Sequence, residues 1–521
     1  MGTFGNATYE MDWLRQWSRY SPRAIAFKDA DSGAELSYSA LYRVSCKLAL
    51  HLRERYEIRA KDRVAVLATN EIETIAVFFA LQRLGAIMVP VNFRLTGREI
   101  SHILGDSGPE LLIHQKQFVA TLEQVKASVI PEKRWLFDDE EGLTGFVARE
   151  LARDADVAMP FEGTPEMTCM ILYTSGTTGA PKGAMVTNGM LHWNSLNTTL
   201  RLNLSQNDVQ LSFLPFFHTG GWNVLLTPFV HRGGRTVLMK KFEAERVLEL
   251  CEKERVTILF GVPTTMDMMA RSPLFDRVDL SSVRYAIVGG EPMPIDLIKV
   301  WQVKGIPIRQ GYGLTEFGPN VFSLNEEDSI RKIGSIGFPN FYIETRIVDN
   351  DGHDVPTGEI GELILRGPVC TAGYWNNPEA TANAIKDGWL HTGDLVRQDE
   401  EGYVYVAGRK KDMFISGGEN VYPVEVEQFL STHPAIREVA VVGVPDAKWG
   451  EVGKAYVALK AGTTATAEEI LAYCAGNLAK FKIPKHVVFL DQLPKGDSGK
   501  ILKRSLRDAE ISVAVAEPAH A

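Results

Sequence analysis

The sequence has few cysteines and lacks an apolar run long enough to cross a membrane. Its five cysteines lie far apart: Cys46, Cys169, Cys251, Cys370 and Cys474. No two of them have the CxxC spacing of a zinc or redox site, so the sequence predicts neither a disulfide framework nor a structural metal site. The lack of a long apolar run predicts that no segment spans a membrane.

Targeting signals and an excess of positive charge are missing as well. Residues 1–12 contain no basic stretch followed by an apolar one, and the end of the chain does not match an SKL-type peroxisomal address. We therefore expect a cytoplasmic protein. The formal net charge is −9, which argues against a nucleic-acid partner. If the ligand is a nucleotide, the positive charge that binds it must be local.

The chain does have the length and apolar content for two or more domains. It has 521 residues, of which 45% are hydrophobic. Apolar bursts alternate with helical patterns, as in the strand, helix and strand expected at 63–68, 71–84 and 87–91. The alternation returns between 236 and 288. It predicts βαβ units in two α/β layers with largely parallel sheets, within one large N-terminal region.

The pattern changes twice towards the C-terminus. From about 334 to 408, short strands separated by glycine-rich turns predict a β-rich subdomain, in the form of a distorted barrel. A basic tetrad follows at 409–412, and beyond it lies a smaller α+β segment. We therefore predict an N-terminal domain at 1–408, a hinge at 409–412 and a C-terminal domain at 413–521.

The densest cluster of chemically useful residues is the run YTSGTTGAPKG at 173–183. It follows an apolar run, so it is expected to leave the end of a strand. Its glycines let backbone N–H groups point at an anion, its hydroxyls add donors, and its lysine adds positive charge. These features suit a polyphosphate, although the order differs from that of a Walker A loop. The residues concerned are Thr174, Ser175, Gly176, Thr177, Thr178, Gly179 and Lys182.

This run resembles the phosphate loop of the adenylate-forming superfamily, which includes acyl- and aryl-CoA synthetases, nonribosomal-peptide adenylation domains and beetle luciferases. Further motifs of the family follow in the same order, so the resemblance covers nearly the whole chain. It implies that ATP and Mg²⁺ are bound, and that a carboxylic acid is converted to an acyl adenylate and then to a thioester of coenzyme A. It also implies a small C-terminal domain that rotates between these two half-reactions.

The motif QGYGLTE at 310–316 is the second element of the expected nucleotide site. The resemblance implies that Tyr312, between Gly311 and Gly313, stacks on adenine, as aromatic rings do on bases. It further implies that Thr315 contacts the α-phosphate and that Glu316 holds Mg²⁺. The expected metal ligands are Thr174 and Glu316.

Two other motifs complete the nucleotide site by resemblance. In VGGEP at 288–292, Gly289, Gly290 and Glu291 would flank the adenine. In TGD at 392–394, Asp394 would accept hydrogen bonds from the two ribose hydroxyls. Arg409 is expected to face the nucleotide as well.

The resemblance also assigns roles near the C-terminus. Lys411 occupies the hinge position of the family. Gly417, Gly418 and Trp449 would line the tunnel for the pantetheine arm of coenzyme A. Lys500 would lie between the substrate carboxylate and the α-phosphate, where a cation relieves their repulsion in the first transition state. The expected catalytic residues are therefore Lys500, His218 and Glu316.

The resemblance further implies that the run LPFFHTGGW at 214–222 forms one wall of the pocket for the acid. Gly220 indicates a roomy or elongated pocket, and no acidic residue is placed to bind the ammonium group of an amino acid. A fatty acid is thus the first expectation and an aryl acid the second. The expected lining residues are His218, Gly220, Val224, Phe317, Gly318 and Pro319.

Two other functions stay open at this point. The chain could load a carrier protein instead of coenzyme A, or it could bind a nucleotide without catalysis, although intact Lys500, Glu316 and Asp394 argue against the latter. The protein could form a homodimer.

Overall fold

The computed structural model describes residues 11–153, 157–174, 180–496 and 501–507. Within these residues the strands form four sheets, and the α/β class predicted from the sequence is confirmed. No helix in this part of the chain is long and apolar enough to span a membrane.

In chain order the strands are β1 (Ile25–Asp29), β2 (Glu35–Ser37), β3 (Arg63–Leu67), β4 (Ile87–Pro90), β5 (Leu111–His114), β6 (Lys133–Leu136), β7 (Thr168–Thr174), β8 (Lys182–Thr187), β9 (Val209–Ser212), β10 (Arg235–Leu238), β11 (Ile258–Gly261), β12 (Tyr285–Val288), β13 (Ile308–Tyr312), β14 (Phe322–Ser323), β15 (Phe338–Pro339), β16 (Glu344–Val348), β17 (Ile360–Arg366), β18 (Ile385–Lys386), β19 (Trp389–Gln398), β20 (Val404–Arg409), β21 (Phe414–Ser416), β22 (Glu419–Val421), β23 (Ile436–Asp446), β24 (Gly450–Leu459) and β25 (His486–Phe489). The three longest strands, β19, β23 and β24, belong to the two small sheets.

The helices cover the large sheets and one face of the last sheet. They are α1 (Trp13–Tyr20), α2 (Tyr38–Arg55), α3 (Ile72–Leu84), α4 (Gly97–Ser107), α5 (Val119–Leu122), α6 (Leu143–Ala152), α7 (Asn188–Leu202), α8 (Leu226–Arg232), α9 (Ala244–Lys253), α10 (Pro263–Ala270), α11 (Ile295–Val303), α12 (Pro378–Ala384), α13 (Pro423–Ser431) and α14 (Ala467–Cys474).

The six-stranded sheet has the order β6-β5-β3-β4-β7-β8 and is parallel except for the β7–β8 pair. The βαβ unit predicted at 63–91 is β3–α3–β4. Its strands are buried on both faces, which is why they read as continuous apolar runs. Helix α3 is apolar on all sides because it packs, together with α2, in a core shared by both large sheets.

The nine-stranded sheet has the order β15-β14-β13-β12-β11-β9-β10-β1-β2. Its central strands are parallel, and its outer pairs are antiparallel. The VGGEP and QGYGLTE motifs leave the carboxyl ends of β12 and β13. Ligands of open parallel sheets bind at this end of the strands, so the fold brings both motifs to one site.

Two smaller sheets complete the structure. Strands β16 to β20 form an antiparallel sheet in the region predicted to be β-rich, and a turn that contains Glu401 and Gly402 joins β19 to β20. Strands β21 to β25 form the C-terminal sheet, which has a core of its own with α13 and α14. The basic tetrad at 409–412 begins with the last residue of β20 and lies before β21. The domain boundary placed there stays a prediction.

One buried ion pair ties the N-terminal helix to the six-stranded layer. Arg83 at the end of α3 lies 2.7 Å from Asp12, and the two side chains are only 2% and 3% exposed. Arg83 also donates to the carbonyl of Met159 and lies over the ring of Tyr42. Loss of Asp12 would therefore leave a guanidinium buried without its counter-charge.

We expect Asp12→Ala to lower the free energy of unfolding by about 3–5 kcal/mol, the usual cost of breaking a buried ion pair from one side. Urea denaturation at equilibrium measures this. Arg153→Ala is the matched control, because Arg153 forms an exposed pair with Glu150, for which about 1 kcal/mol or less is expected. If both substitutions lowered the free energy of unfolding equally, the buried Asp12–Arg83 pair would contribute no more than an exposed pair.

Candidate active site

A cleft of about 3110 Å³ lies at the carboxyl ends of the strands and extends to the C-terminal sheet. It brings together most of the residues selected from the sequence, although they come from distant parts of the chain. Those that line it are Thr174, Lys182, His218, Gly220, Val224, Gly289, Gly290, Glu291, Gly311, Tyr312, Gly313, Thr315, Glu316, Pro319, Asp394, Arg409 and Lys411.

The phosphate loop lies between two paired strands. Thr174 ends β7 and Lys182 begins β8, and the antiparallel register places them opposite each other. The Thr174 hydroxyl donates to the Lys182 carbonyl at 3.4 Å. The residues between them, Ser175, Gly176, Thr177, Thr178 and Gly179, lie outside the described residues, as does Lys500.

Asp394 lies at the junction of three structural elements. On β19 it is paired in register with Arg409 of β20, whose Nε lies 2.6 Å from its Oδ1. The hydroxyl of Tyr312, at the end of β13, donates to its Oδ2 at 2.5 Å. Burial and the adjacent carboxylate raise the pKa of Tyr312 well above its usual value, so the phenol stays a donor.

Glycine is required where the backbone of this site is crowded. A Cβ on Gly313 would lie 2.1 Å from the carbonyl oxygen of Pro319. Gly290 has a φ of +89°, in the left-handed region. One glycine of each motif, Gly290 and Gly313, therefore has a steric reason to be present that is independent of any ligand.

Glu316 is held by a segment that the sequence did not single out. The Tyr374 hydroxyl donates to Glu316 Oε1 at 2.8 Å, and the Lys182 ammonium lies 5.4 Å from the centre of the Tyr374 ring. Burial and the Glu316 charge raise the Tyr374 pKa. Tyr374 was missed because a tyrosine among neutral neighbours has no recognisable pattern, and its place depends on long-range pairing with β8.

The donor set around Glu316 fits Mg²⁺. This ion prefers oxygen ligands and usually takes one or two carboxylates together with substrate phosphates. Glu316 and Thr174 offer such oxygens on the same cleft. Among the described residues, one group of three carboxylate or imidazole ligands is close enough for an ion, at Asp349, Asp351 and His353, but it is exposed and outside the cleft.

Ion pairs surround the hinge. The Lys410 ammonium lies 3.0 Å from the carboxylate of Glu362. Burial alone would raise the pKa of Glu362. The hydrogen bond and the positive charge of Lys410 outweigh the effect of burial, so the pKa of Glu362 is lowered. The Arg507 guanidinium pairs with Asp412 and donates to the Lys411 carbonyl. Burial lowers the pKa of Lys411. The predicted hinge is therefore fixed from both sides in this arrangement.

The segment predicted to form a wall of the acid pocket runs into a short π-helix, Gly220–Val224. Asn70 orients the segment before it, since its amide donates to the Leu214 carbonyl and accepts from the Phe216 N–H. Buried amides satisfy the carbonyls of the wall itself: Asn194 donates to the Asn223 carbonyl, and Asn320 donates to that of Val224. Local π-helical turns of this kind often occur at functional sites.

The space beside Gly220 is about the size of a methyl group. A Cβ at this position would be in van der Waals contact with the ring of Phe260, at 3.8 Å, and with Leu214, at 3.9 Å. Gly220 and Phe260 also line a cavity of about 10 Å³, which is about the space of one water molecule. The prediction of a roomy or elongated pocket stays a prediction.

Several predicted residues do not face the cleft, contrary to expectation. Phe317 is fully buried in the core beneath the small antiparallel sheet. A Cβ on Gly318 would lie 2.9 Å from the Asn194 side chain, so Gly318 packs against α7 instead. Phe317 was predicted to line the pocket because it is apolar, but an apolar side chain suits a pocket wall and a core equally well.

The proposed coenzyme A residues also lie off the cleft. Gly417 and Gly418 form the two-residue turn of the β21–β22 hairpin, where φ values of +61° and +90° favour glycine. The Trp449 ring covers Gly417. Lys448 and Lys485 lie over this ring, at 5.4 and 5.9 Å from its centre, so an aromatic surface with two cations stands apart from the nucleotide residues.

Comparison with known proteins identifies the family. The model for AMP-binding enzymes matches residues 14–375, and that for their C-terminal domain matches 425–500. A feruloyl-CoA synthase from an Amycolatopsis species is 40% identical, covering 95% of this chain and 98% of the relative. The indoleacetate–CoA ligase of Aromatoleum aromaticum is also 40% identical (95% and 97%). A long-chain-fatty-acid–CoA ligase of Mycobacterium tuberculosis, FadD13, is 35% identical (95% and 97%).

Solved structures agree with these relatives. ATP-bound MatB from Rhodopseudomonas palustris has a TM-score of 0.89 and 31% identity, over 97% of this chain and all of that one. The o-succinylbenzoate–CoA synthetase of Bacillus subtilis, in complex with ATP and magnesium, has a TM-score of 0.83 and 32% identity, over 95% of this chain and 99% of that one.

We expect Asp394→Asn to weaken ATP binding about 10- to 100-fold, because hydrogen bonds to a charged group contribute about 1.5–3 kcal/mol. Calorimetric titration with ATP measures the change. Asp399→Asn is the control, since Asp399 lies on the same hairpin, pairs with Lys332 and is outside the cleft. A similar loss in both variants would contradict a ribose-binding role for Asp394.

Proposed function

The chain belongs to the AMP-binding enzyme family, and on this basis we propose that its substrate is an aromatic or aryl-substituted carboxylic acid. The chain is an AMP-forming acid–CoA ligase. ATP and the acid give an acyl adenylate and pyrophosphate; coenzyme A then takes the acyl group and AMP leaves. Mg²⁺ accompanies the nucleotide. The observation that carries the substrate proposal is the 40% identity, over 95% of this chain, to a feruloyl-CoA synthase and to an indoleacetate–CoA ligase.

The cleft wall at Gly220 and Phe260, called here the slot, limits where the acyl group can lie. A Cβ on Gly220 would already be in van der Waals contact with the Phe260 ring, so an aryl group would pack against the edge of this ring and not between the two residues. Aromatic rings gain from such edge contacts. A long alkyl chain that entered the slot would meet Phe260 and a cavity of only about 10 Å³.

In the first half-reaction, the chain's own residues bind and orient the two substrates. We assign the ribose hydroxyls to Asp394, the adenine to Tyr312 and the α-phosphate to Thr315. Glu316 and Thr174 would hold Mg²⁺, which supplies positive charge beside the phosphates. These groups are fixed before the reaction, so little reorganisation is needed as charge develops.

The acid carboxylate is expected to meet the α-phosphate near His218. This residue lines the cleft next to the π-helix, and its ring lies 4.7 Å from that of Phe217. We assign to His218 the orientation of the carboxylate. We assign to Lys500 the charge that offsets repulsion between carboxylate and phosphate.

The second half-reaction requires the C-terminal sheet to move. Trp449, with Lys448 and Lys485 over its ring, has the chemistry to bind the nucleotide part of coenzyme A, by stacking and by charge. These residues lie off the cleft that would contain the acyl adenylate. We therefore propose that the small domain turns about 409–412, with the hairpin at Gly417-Gly418 then bordering the thiol path.

The proposal is tested by pyrophosphate release from ATP across a panel of acids, with and without coenzyme A. The panel contains benzoic, arylacetic and hydroxycinnamic acids beside straight-chain acids of increasing length. We expect the highest kcat/KM with an aryl acid and thioester formation with coenzyme A. A preference for long straight chains would instead support a fatty acid, the second candidate, which FadD13 favours. Turnover unaffected by coenzyme A would indicate a carrier-protein acceptor.

Two substitutions in the slot should change selectivity in opposite directions. Phe260→Ala opens the back of the slot, so kcat/KM for longer acids should rise at least about tenfold relative to a compact aryl acid, since one methylene is worth about 10- to 200-fold in such pockets. Gly220→Ala adds a methyl group without a clash and should lower kcat/KM for aryl acids more than for straight-chain acids. ATP affinity, measured without acid, should stay unchanged. If kcat/KM changed by the same factor for all acids, the acyl group would not bind at Gly220 and Phe260.

A further inference from the structure

Residues 371–375, called here the strap, hold Glu316 at two points. The Tyr374 hydroxyl donates to the carboxylate at 2.8 Å, and the Thr371 N–H donates to the backbone carbonyl of Glu316 at 2.8 Å. The Tyr374 hydroxyl bonds to only one of the two carboxylate oxygens of Glu316, Oε1. A carboxylate held in this way has a defined orientation and keeps its second oxygen for another partner.

The strap also pairs with β8 of the phosphate hairpin through a single β-bridge. The Trp375 N–H donates to the Gly183 carbonyl at 2.7 Å, and the Met185 N–H donates to the Gly373 carbonyl at 3.0 Å. Tyr374 forms the bridge opposite Ala184. Through β8, the strap therefore links the carboxylate of Glu316 to Lys182 at the base of the phosphate loop.

Other contacts fix the strap itself. The Tyr374 N–H donates to the Thr381 hydroxyl oxygen at 2.9 Å. A Cβ on Gly373 would lie 2.7 Å from the same hydroxyl. At the other end, the Trp375 indole donates to the Asp106 carbonyl. The Tyr374 hydroxyl consequently has little freedom to follow Glu316 if that side chain turns.

We propose that Tyr374 is a positioning residue that sets the orientation of the Glu316 carboxylate for Mg²⁺, and that the strap keeps this carboxylate in register with the phosphate loop. The inference rests on the proposed function, in which Glu316 is a metal ligand. Hydrogen-bonding partners behind a metal ligand typically contribute about 10- to 100-fold to metal affinity or activity. Tyr374 would thus act through Glu316 without touching the substrate.

The test is Tyr374→Phe, which keeps the ring beneath Lys182 and removes only the hydroxyl. ATP binding is followed by calorimetry without acid, over a series of Mg²⁺ concentrations. We expect about tenfold more Mg²⁺ to be needed for half-maximal enhancement of ATP binding, and pyrophosphate release close to that of the unmodified enzyme once Mg²⁺ is saturating. A general structural defect would not be rescued by Mg²⁺.

Tyr403→Phe is a closely matched control. The Tyr403 hydroxyl donates to Asp328, and the Lys332 ammonium lies 4.7 Å from its ring centre, but Tyr403 is outside the cleft. Its substitution should leave the Mg²⁺ dependence unchanged. In a Glu316→Gln background, Tyr374→Phe should add little, because the group it orients has already lost its charge.

The outcomes separate the inference from the function it rests on. A shifted Mg²⁺ dependence in Glu316→Gln but not in Tyr374→Phe would overturn the role of Tyr374 alone. An unchanged Mg²⁺ dependence in Glu316→Gln would overturn the metal-ligand role of Glu316, and the inference with it. Full additivity of the two substitutions would show that Tyr374 does not act through Glu316.

Discussion

The buried carboxylate of Asp394 is the interaction on which the arrangement of the site depends. It accepts from Tyr312 of the nine-stranded sheet and pairs with Arg409 at the end of the small antiparallel sheet. A buried carboxylate is costly unless it is paired and hydrogen-bonded. The two partners that offset this cost, Tyr312 and Arg409, belong to different sheets. Their contacts with Asp394 therefore also fix the position of one sheet relative to the other. Arg409 is also the first residue of the predicted hinge at 409–412, so in the proposed function it would link nucleotide binding to the position of the small domain.

Two ion pairs hold the predicted hinge in the present arrangement: Lys410 with Glu362, and Arg507 with Asp412. Both cations are partly exposed, whereas both carboxylates are largely buried. These pairs are therefore stronger than fully exposed ones, because breaking them would leave a largely buried carboxylate without its partner. In the proposed rotation at 409–412, the two carboxylates would need new partners, while the separate cores beneath the two small sheets would stay intact.

The sequence predicted those parts of the fold whose signal is local. Strands β3 and β4 and helix α3 are continuous apolar segments, and the glycine motifs follow strand ends, so their elements and the α/β class could be predicted. Tyr374 could not be found, because its position depends on pairing between segments almost two hundred residues apart. The orientation of Phe317 was predicted wrongly for a related reason: apolar character indicates burial but not which core receives the side chain.

Substrate selectivity depends on more than the residues that would touch the acid. The wall at Gly220–Val224 is π-helical, and such a turn leaves carbonyls without regular helical partners. Asn194 and Asn320 donate to two of them, and Asn340 in turn donates to the carbonyl of Asn320. Because unsatisfied buried carbonyls are costly, these amides select one shape of the wall. Buried amides thus determine the shape of the pocket wall. Asn320 connects this wall to the loop that carries Thr315 and Glu316. A change of substrate class would need this amide layer to change together with Gly220.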